Sequence, residues 1–170
     1  MDVPVTPAEI DEALTQLAPL LASVFAATGT CQIISSPLQR CHRLADALAK
    51  QLHRPKPLVD TCLQEIDFGD WEGKAWNDIP RHEIDAWAAD VAGFAPPNGE
   101  SVQQLRERVL RWLNEIEASA ESWVVVTHAG VIRVLLGVLN NLPFDEWSRL
   151  PIDFASLTVA SLPRKIPAYV

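Results

Sequence analysis

The amino-acid sequence predicts an α/β sandwich with a mainly parallel sheet. Three observations point there. Segments with apolar residues at helical spacing alternate with short apolar runs of strand length. Two of those runs feed straight into helices across small-residue turns, Ser35-Ser36-Pro37 and His128-Ala129-Gly130. The 170 residues are 48% hydrophobic and 21% charged, which suffices for the core of one domain.

Each element has a local reason. Thr6-Pro7-Ala8-Glu9 reads as a helix start, with Thr6 as cap, Pro7 in the first turn and Glu9 closing a capping box. Ile10, Leu14, Leu17, Leu21 and Val24 continue that helix to a turn near Thr28-Gly29-Thr30. Cys31 to Ile34 is a short buried strand. Cys41, Leu44, Ala45, Leu48 and Leu52 form the stripe of the next helix, which Pro55 and Pro57 end. Leu58 to Leu63 suggests another short strand. Gln64 to Gly73, with two glycines, four acids and two aromatics, reads as an ordered surface loop. Partly helical sequence reaches Asp90, and Phe94 to Gly99 is a loop. Ser101 and Gln104 mark a second capping box, opening a helix with Val102, Leu105, Val109, Trp112 and Ile116 on one face. Trp123 to Thr127 is a buried strand and Val131 to Leu139 a helix. Ser156 to Leu162, and then Lys165 to Val170, are expected to add strands.

Charge narrows the function classes. Lys plus Arg number 14 and Asp plus Glu 22, a net charge of −8. That balance argues against nucleic acid and against an anionic membrane surface, because both require a basic face. No uninterrupted run of about 18 apolar residues is present, so no transmembrane span is expected. Met1 to Thr6 does not resemble a signal peptide. Cys31, Cys41 and Cys62 lack metal-site or disulfide spacing, and a reducing cytoplasm is the simplest setting.

Ligands of open α/β sheets sit at the carboxyl ends of strands, which directs attention to Ser35 to Arg40, Glu65 and His128. Arg40, in the first turn of a helix, is either a phosphate fork or a solvated arginine. His128 is either a donor to an anion, with Ala129 and Gly130 allowing close backbone approach, or a cap on the strand end. Glu65, beside Ile66 and Phe68, is either a general acid or an exposed carboxylate. Trp71 is a candidate wall for a flat ligand, and Trp112 belongs to the core.

Taken together, the motifs are more specific. Ser35-Ser36-Pro37-Leu38-Gln39-Arg40-Cys41, Leu63-Gln64-Glu65-Ile66-Asp67-Phe68-Gly69-Asp70-Trp71-Glu72-Gly73, Gly99-Glu100-Ser101, and Val125 to Arg133 around Thr127-His128-Ala129-Gly130 occur in this order. They resemble the signatures of the histidine phosphatase superfamily, the phosphoglycerate mutase-like fold. The form of the second motif, with Trp87-Ala88-Ala89-Asp90, is most similar to the α-ribazole phosphatase branch, which removes a 5′-phosphate from a nucleotide-like intermediate of cobalamin assembly. The resemblance implies a three-layer sandwich and a phosphomonoesterase. In it Arg40 binds the phosphoryl group, Glu65 protonates the leaving alcohol, and His128 stabilises the phosphoryl oxygens with the Ala129 and Gly130 backbone. Ser36, Trp71, Glu100 and Ser101 are the further substrate contacts to test. It implies a small phosphorylated substrate or phosphate as partner, no cofactor and no metal, and leaves a homodimer open.

The family's first signature, an Arg-His-Gly that supplies the nucleophilic histidine, is absent from the sequence. Arg81-His82-Glu83 is the nearest string, and it falls in predicted helix. Asp2-Val3-Pro4-Val5-Thr6 resembles the family's segment just C-terminal to that signature. Residues 1–170 are therefore expected to be one histidine-phosphatase-like domain short of its first, central strand, with a slot between two flanking strands. Three readings compete. One is a phosphatase whose start lies upstream. Another is a pseudophosphatase that binds phosphate or a partner. The third is a metal-dependent hydrolase using Glu65, Asp67, Asp70 and Glu72 with a histidine.

Overall fold

The computed structural model describes residues 1–28, 31–117 and 122–161. Helix α1 (Pro7–Thr28) begins with the expected capping box: Thr6 N–H donates to Glu9 at 2.8 Å, and Glu9 N–H returns to the Thr6 hydroxyl at 3.3 Å. Strand β1 (Cys31–Ser35), helix α2 (Gln39–Gln51) and a two-residue strand β2 (Leu58–Val59) come next. Helices α3 (Arg81–Ala89) and α4 (Val102–Glu117), strand β3 (Ser122–Val126) and helices α5 (Ala129–Leu139) and α6 (Phe144–Trp147) complete the elements.

The sheet is parallel, in the order β2-β1-β3. Ile34 pairs with Leu58, and Cys31 through Ser35 pair with Ser122 through Val126. Successive strand residues point to opposite faces, so two cores form. On one face Cys31, Ile33, Val124 and Val126 meet Ala13, Leu17 and Leu21 of α1 and Ala45 and Leu48 of α2. On the other, Ile34, Trp123 and Val125 meet Leu105, Val109 and Trp112 of α4 and Val131 and Val134 of α5. The result is the three-layer α/β sandwich expected for the phosphoglycerate mutase-like fold.

Four expectations need correction or limits. The run from Leu58 does not extend as a strand to Leu63. Asp60 instead accepts the Cys62 N–H at 2.7 Å and caps a 3-10 turn at Thr61–Leu63. Residues 156–161 form no strand: Ala155 and Leu157 pack on the α1/α2 core without a ladder partner. Leu162 and the segment from Lys165 to Val170 lie outside the described residues, as do Gly29 and Thr30. The expected slot is not found between β1 and β3, which pair directly. Among the described residues the unpaired sheet edge at that end belongs to β3.

Two further features escaped the sequence patterns. Helix α6 is too short to show a period, and is placed by Trp147 packing over Gly137 of α5. Helix α1 is long and apolar enough to cross a bilayer by length and composition, although no uninterrupted apolar run signals it. Its Ala13, Leu17, Ala18, Leu21 and Phe25 are buried in the core. The three cysteines are unpaired thiols, Cys31 and Cys41 buried.

The loop after β2 is locked onto the loop before α4. Gly69 has φ +53°, and a Cβ there would collide with the Pro97 carbonyl. Asp70 N–H donates to Pro97 O at 2.9 Å, and Glu100 N–H to Asp67 O at 2.8 Å. Gly69→Ala should therefore destabilise the protein by at least about 1–2 kcal/mol, the cost of a left-handed non-glycine residue, before the steric clash is counted. Urea denaturation measures it, and an unchanged midpoint would contradict this role for the loop.

Candidate active site

Two strands end level, and the residues just past them meet. Ser36 N–H donates to Val126 O at 3.0 Å, which holds the β1–α2 turn against the end of β3. Ser36 is fully buried and His128 is 5% exposed. His128 Nε2 lies 2.8 Å from the Ser36 hydroxyl, and Arg40 Nε donates to His128 Nδ1 at 3.1 Å. A guanidinium has no acceptor, so Nδ1 must be the bare nitrogen and Nε2 carries the proton to Ser36. Cys41 Sγ sits 3.5 Å from the same imidazole. Burial pushes the Cys41 thiol up to about 12, so it stays protonated, as a core cysteine does.

The electrostatics agree with that tautomer. Burial, then the nearby charges of Arg40 and Arg108, lower the His128 pKa to about 3. His128 is accordingly a neutral imidazole throughout the physiological range.

Glu65 reaches the site from the loop after the 3-10 turn. Its carboxylate accepts from the Ile66 N–H at 3.1 Å and faces the Gly130 N–H at 3.5 Å, at the N-terminus of α5. Gly130 is needed for this approach, since a Cβ would collide with Glu65 Oε1. The space that small residues open at this helix start is thus taken by the carboxylate of Glu65. Ala129 supplies the first turn beside it.

A cleft of about 700 Å³ opens over these groups. Arg40, Glu65, Phe68, Trp76, Glu100 and Arg108 are among its walls. His128 is not; it stands behind Arg40. The chain start crosses one rim: Met1 O accepts from Arg40 Nη1 at 3.2 Å, and Asp2 Oδ1 from the Gln39 N–H at 2.8 Å. Asp2 thereby occupies the first turn of α2, a position suited to an anion.

Several expected contacts have partners within the scaffold. Ser101 is 4% exposed and caps α4, with Gln104 Oε1 accepting its N–H at 2.7 Å. Trp71 reaches the cleft but is 5% exposed, with its Nε1 donating to Glu83 at 2.7 Å. Arg133, which closes the last motif and was not an expected contact, donates to Leu150 O at 2.9 Å. The acidic loop does not converge: Asp67 accepts from Gly69 N–H, Asp70 from Asn98, and Glu72 pairs with the Met1 amine. Among the described residues no three His, Cys, Asp or Glu side chains gather as metal ligands.

Arg108 is the residue that sequence reasoning missed. Its guanidinium donates to both Glu100 oxygens, at 3.0 and 2.5 Å, to Cys62 O at 2.7 Å and to Glu65 O at 3.2 Å. Glu100, expected as a substrate contact, is the counter-ion that orients it. The hint in the sequence was an arginine about two helical turns beyond Gly99-Glu100-Ser101.

Known proteins share these features of fold and motif. The family model described as histidine phosphatase superfamily (branch 1) matches residues 2–169. A bifunctional protein of Mycobacterium tuberculosis is 33% identical over 137 residues, 78% of this chain and 37% of that protein. The chain thus spans little more than a third of that relative. An adenosylcobalamin/α-ribazole phosphatase of Salmonella typhimurium is 27% identical over 145 residues, covering 75% of this chain and 71% of its own. A mycobacterial glucosyl-3-phosphoglycerate phosphatase, solved with inorganic phosphate, superposes with a TM-score of 0.68 at 27% identity, over 89% of this chain and 76% of that one.

Two outcomes test the site. The folded state holds His128 neutral down to about pH 3, whereas the unfolded chain protonates it near 6.5. Stability should fall as pH drops through that window, because the unfolded state binds the extra proton. His128→Gln keeps both hydrogen bonds without the titration, so its melting temperature should decline less steeply between pH 6.5 and 4; parallel slopes would contradict the assignment. Arg108→Ala should cost roughly 1.5–3 kcal/mol in urea denaturation, because it strips a half-buried carboxylate and two carbonyls of a charged donor. Arg108→Lys should recover only part of that, since an ammonium cannot reproduce the fork.

Proposed function

The chain belongs to the histidine phosphatase superfamily, and from that premise we propose that it serves hydrolysis of a phosphate monoester of a small metabolite of the α-ribazole 5′-phosphate kind. The observation that carries this reading is the placement of Arg40 and Glu65 in the lining of one cleft at the carboxyl end of the sheet, with neutral His128 behind Arg40. The α-ribazole and glucosyl-3-phosphoglycerate phosphatases among its relatives support the reaction type.

In this reading the phosphoryl group takes the place of Asp2 and the Met1 carbonyl at Arg40 and the first turn of α2. The guanidinium forks onto two phosphoryl oxygens, and the Gln39 N–H and the helix dipole add to the field. His128, held to Ser36 through Nε2 and accepting from Arg40 Nε through Nδ1, fixes the guanidinium from behind as charge builds on the phosphoryl oxygens in the transition state. The bond from phosphorus to the ester oxygen breaks as a histidine nitrogen attacks in line. Glu65 acts as the general acid toward the departing alkoxide, and the water that later cleaves the phosphohistidine returns the proton to it. In this reading that histidine comes from the family's Arg-His-Gly signature, a string that these 170 residues do not contain. The second reading, a pseudophosphatase that binds phosphate without turnover, draws on the same fact and on Arg40 being tied to His128 and Met1.

The deciding experiment compares the 170-residue chain with one lengthened by its upstream codons, using phosphate release from alkyl phosphates. Turnover only in the longer chain supports the phosphatase reading. Phosphate binding without turnover in both supports the second. In an active form, Glu65→Gln should lower kcat by about 10²–10⁴-fold on a poor leaving group. The loss should be far smaller for nitrophenyl phosphate, whose leaving group needs no proton.

A further inference from the structure

The cleft has an aromatic wall that phosphoryl chemistry does not explain. Trp76 is 62% exposed and Phe68 42% exposed, and both line the same cleft as Arg40 and Glu65. Trp76 stands on a single 3-10 turn, Trp76–Asp78. Its ring meets Trp71 edge-on, with centroids 6.3 Å apart at 64°, and leans on Trp87 at 5.5 Å. Trp71 is in turn fixed by Phe94 at 5.5 Å and by its bond to Glu83. Two neighbouring rings therefore brace Trp76 and leave much of its surface bare. Apolar area left in water forfeits transfer free energy, and when it gathers inside a cleft beside convergent polar groups it marks a ligand surface.

Phe68 fixes which part of a ligand meets this wall. It lies three residues beyond Glu65 on one loop, held by the Gly69–Pro97 contact already described. A proton donor meets the leaving oxygen, so the side chains next to it along the cleft meet the leaving group. The phosphoryl group sits at Arg40.

We propose that Phe68 and Trp76 form the leaving-group subsite and select phosphate monoesters whose alcohol carries a flat aromatic ring. The inference rests on the phosphatase reading and deepens it by naming the residues that set specificity. It moves the stacking role from Trp71, which is buried, to the two aromatic side chains of the cleft that are exposed. An aromatic ring packs offset or edge-on against such rings with a gain beyond its buried area, which a saturated chain lacks.

Calorimetric titration of the 170-residue protein with inorganic phosphate, ethyl phosphate, cyclohexylmethyl phosphate and benzyl phosphate tests this. Benzyl phosphate should bind about tenfold tighter than ethyl phosphate and several-fold tighter than the saturated ring. Trp76→Ala and Phe68→Leu should each pull the benzyl-to-ethyl ratio towards one, and Trp76→Phe should restore most of it. Both side chains are exposed, so neither change removes core packing. A variant that weakens both esters equally, or a wild type that binds phosphate yet treats the esters alike, overturns this inference and leaves the phosphate site standing. Failure of every ligand, phosphate included, removes the phosphate site of the 170-residue protein and this inference with it, while the phosphatase reading falls only if the lengthened chain also lacks turnover.

Discussion

Parallel, in-register pairing of β1 with β3 sets Ser35 opposite Val126 and brings two strand-to-helix turns side by side. The cleft geometry depends on that ladder. Ser36 and His128 become neighbours although they are far apart in the chain, and α2 and α5 both start at the same end of the sheet. The alternation of side chains along the same two strands divides the core between α1/α2 on one face and α4/α5 on the other. The polar chain from Arg40 through His128 to Ser36 therefore sits between two apolar layers, which is why His128 stays neutral.

The protein carries a net charge of −8, yet two arginines, Arg40 and Arg108, line its cleft. The resolution is local. Arg40 and Arg108 both lower the His128 pKa, so their positive field is felt inside the site. Glu100 orients Arg108 and partly offsets it, while Arg40 is met by a carbonyl and an imidazole and keeps its full charge for a ligand. Asp2 at the first turn of α2 shows that this corner already attracts a carboxylate.

Helix positions, both capping boxes, β1, β3 and the sandwich class were legible because each has a short-range cause: a period, a cap or a β-branched run. The strand expected over 156–162 fails for the opposite reason. A strand exists only with a partner, and an alternating apolar pattern is equally served by Ala155 and Leu157 packing on a helix layer. Helix α6 has four residues and no period to read, and its position is set by a tryptophan over a glycine.

By itself the sequence determined that Arg40, Glu65 and His128 stand in motifs resembling those of one family, because residue type and motif order are properties of the chain. Tertiary structure decided what surrounds each of them. It buried His128 behind Arg40, gave the N-terminus of α5 to Glu65, turned Glu100 and Ser101 into an ion-pair partner and a helix cap, and brought in Arg108. It also exchanged Trp71 for Trp76 and Phe68 as the bare aromatic wall. Exposure, tautomer and counter-ion are relations between segments distant in sequence, and they exist only once packing has brought those segments together.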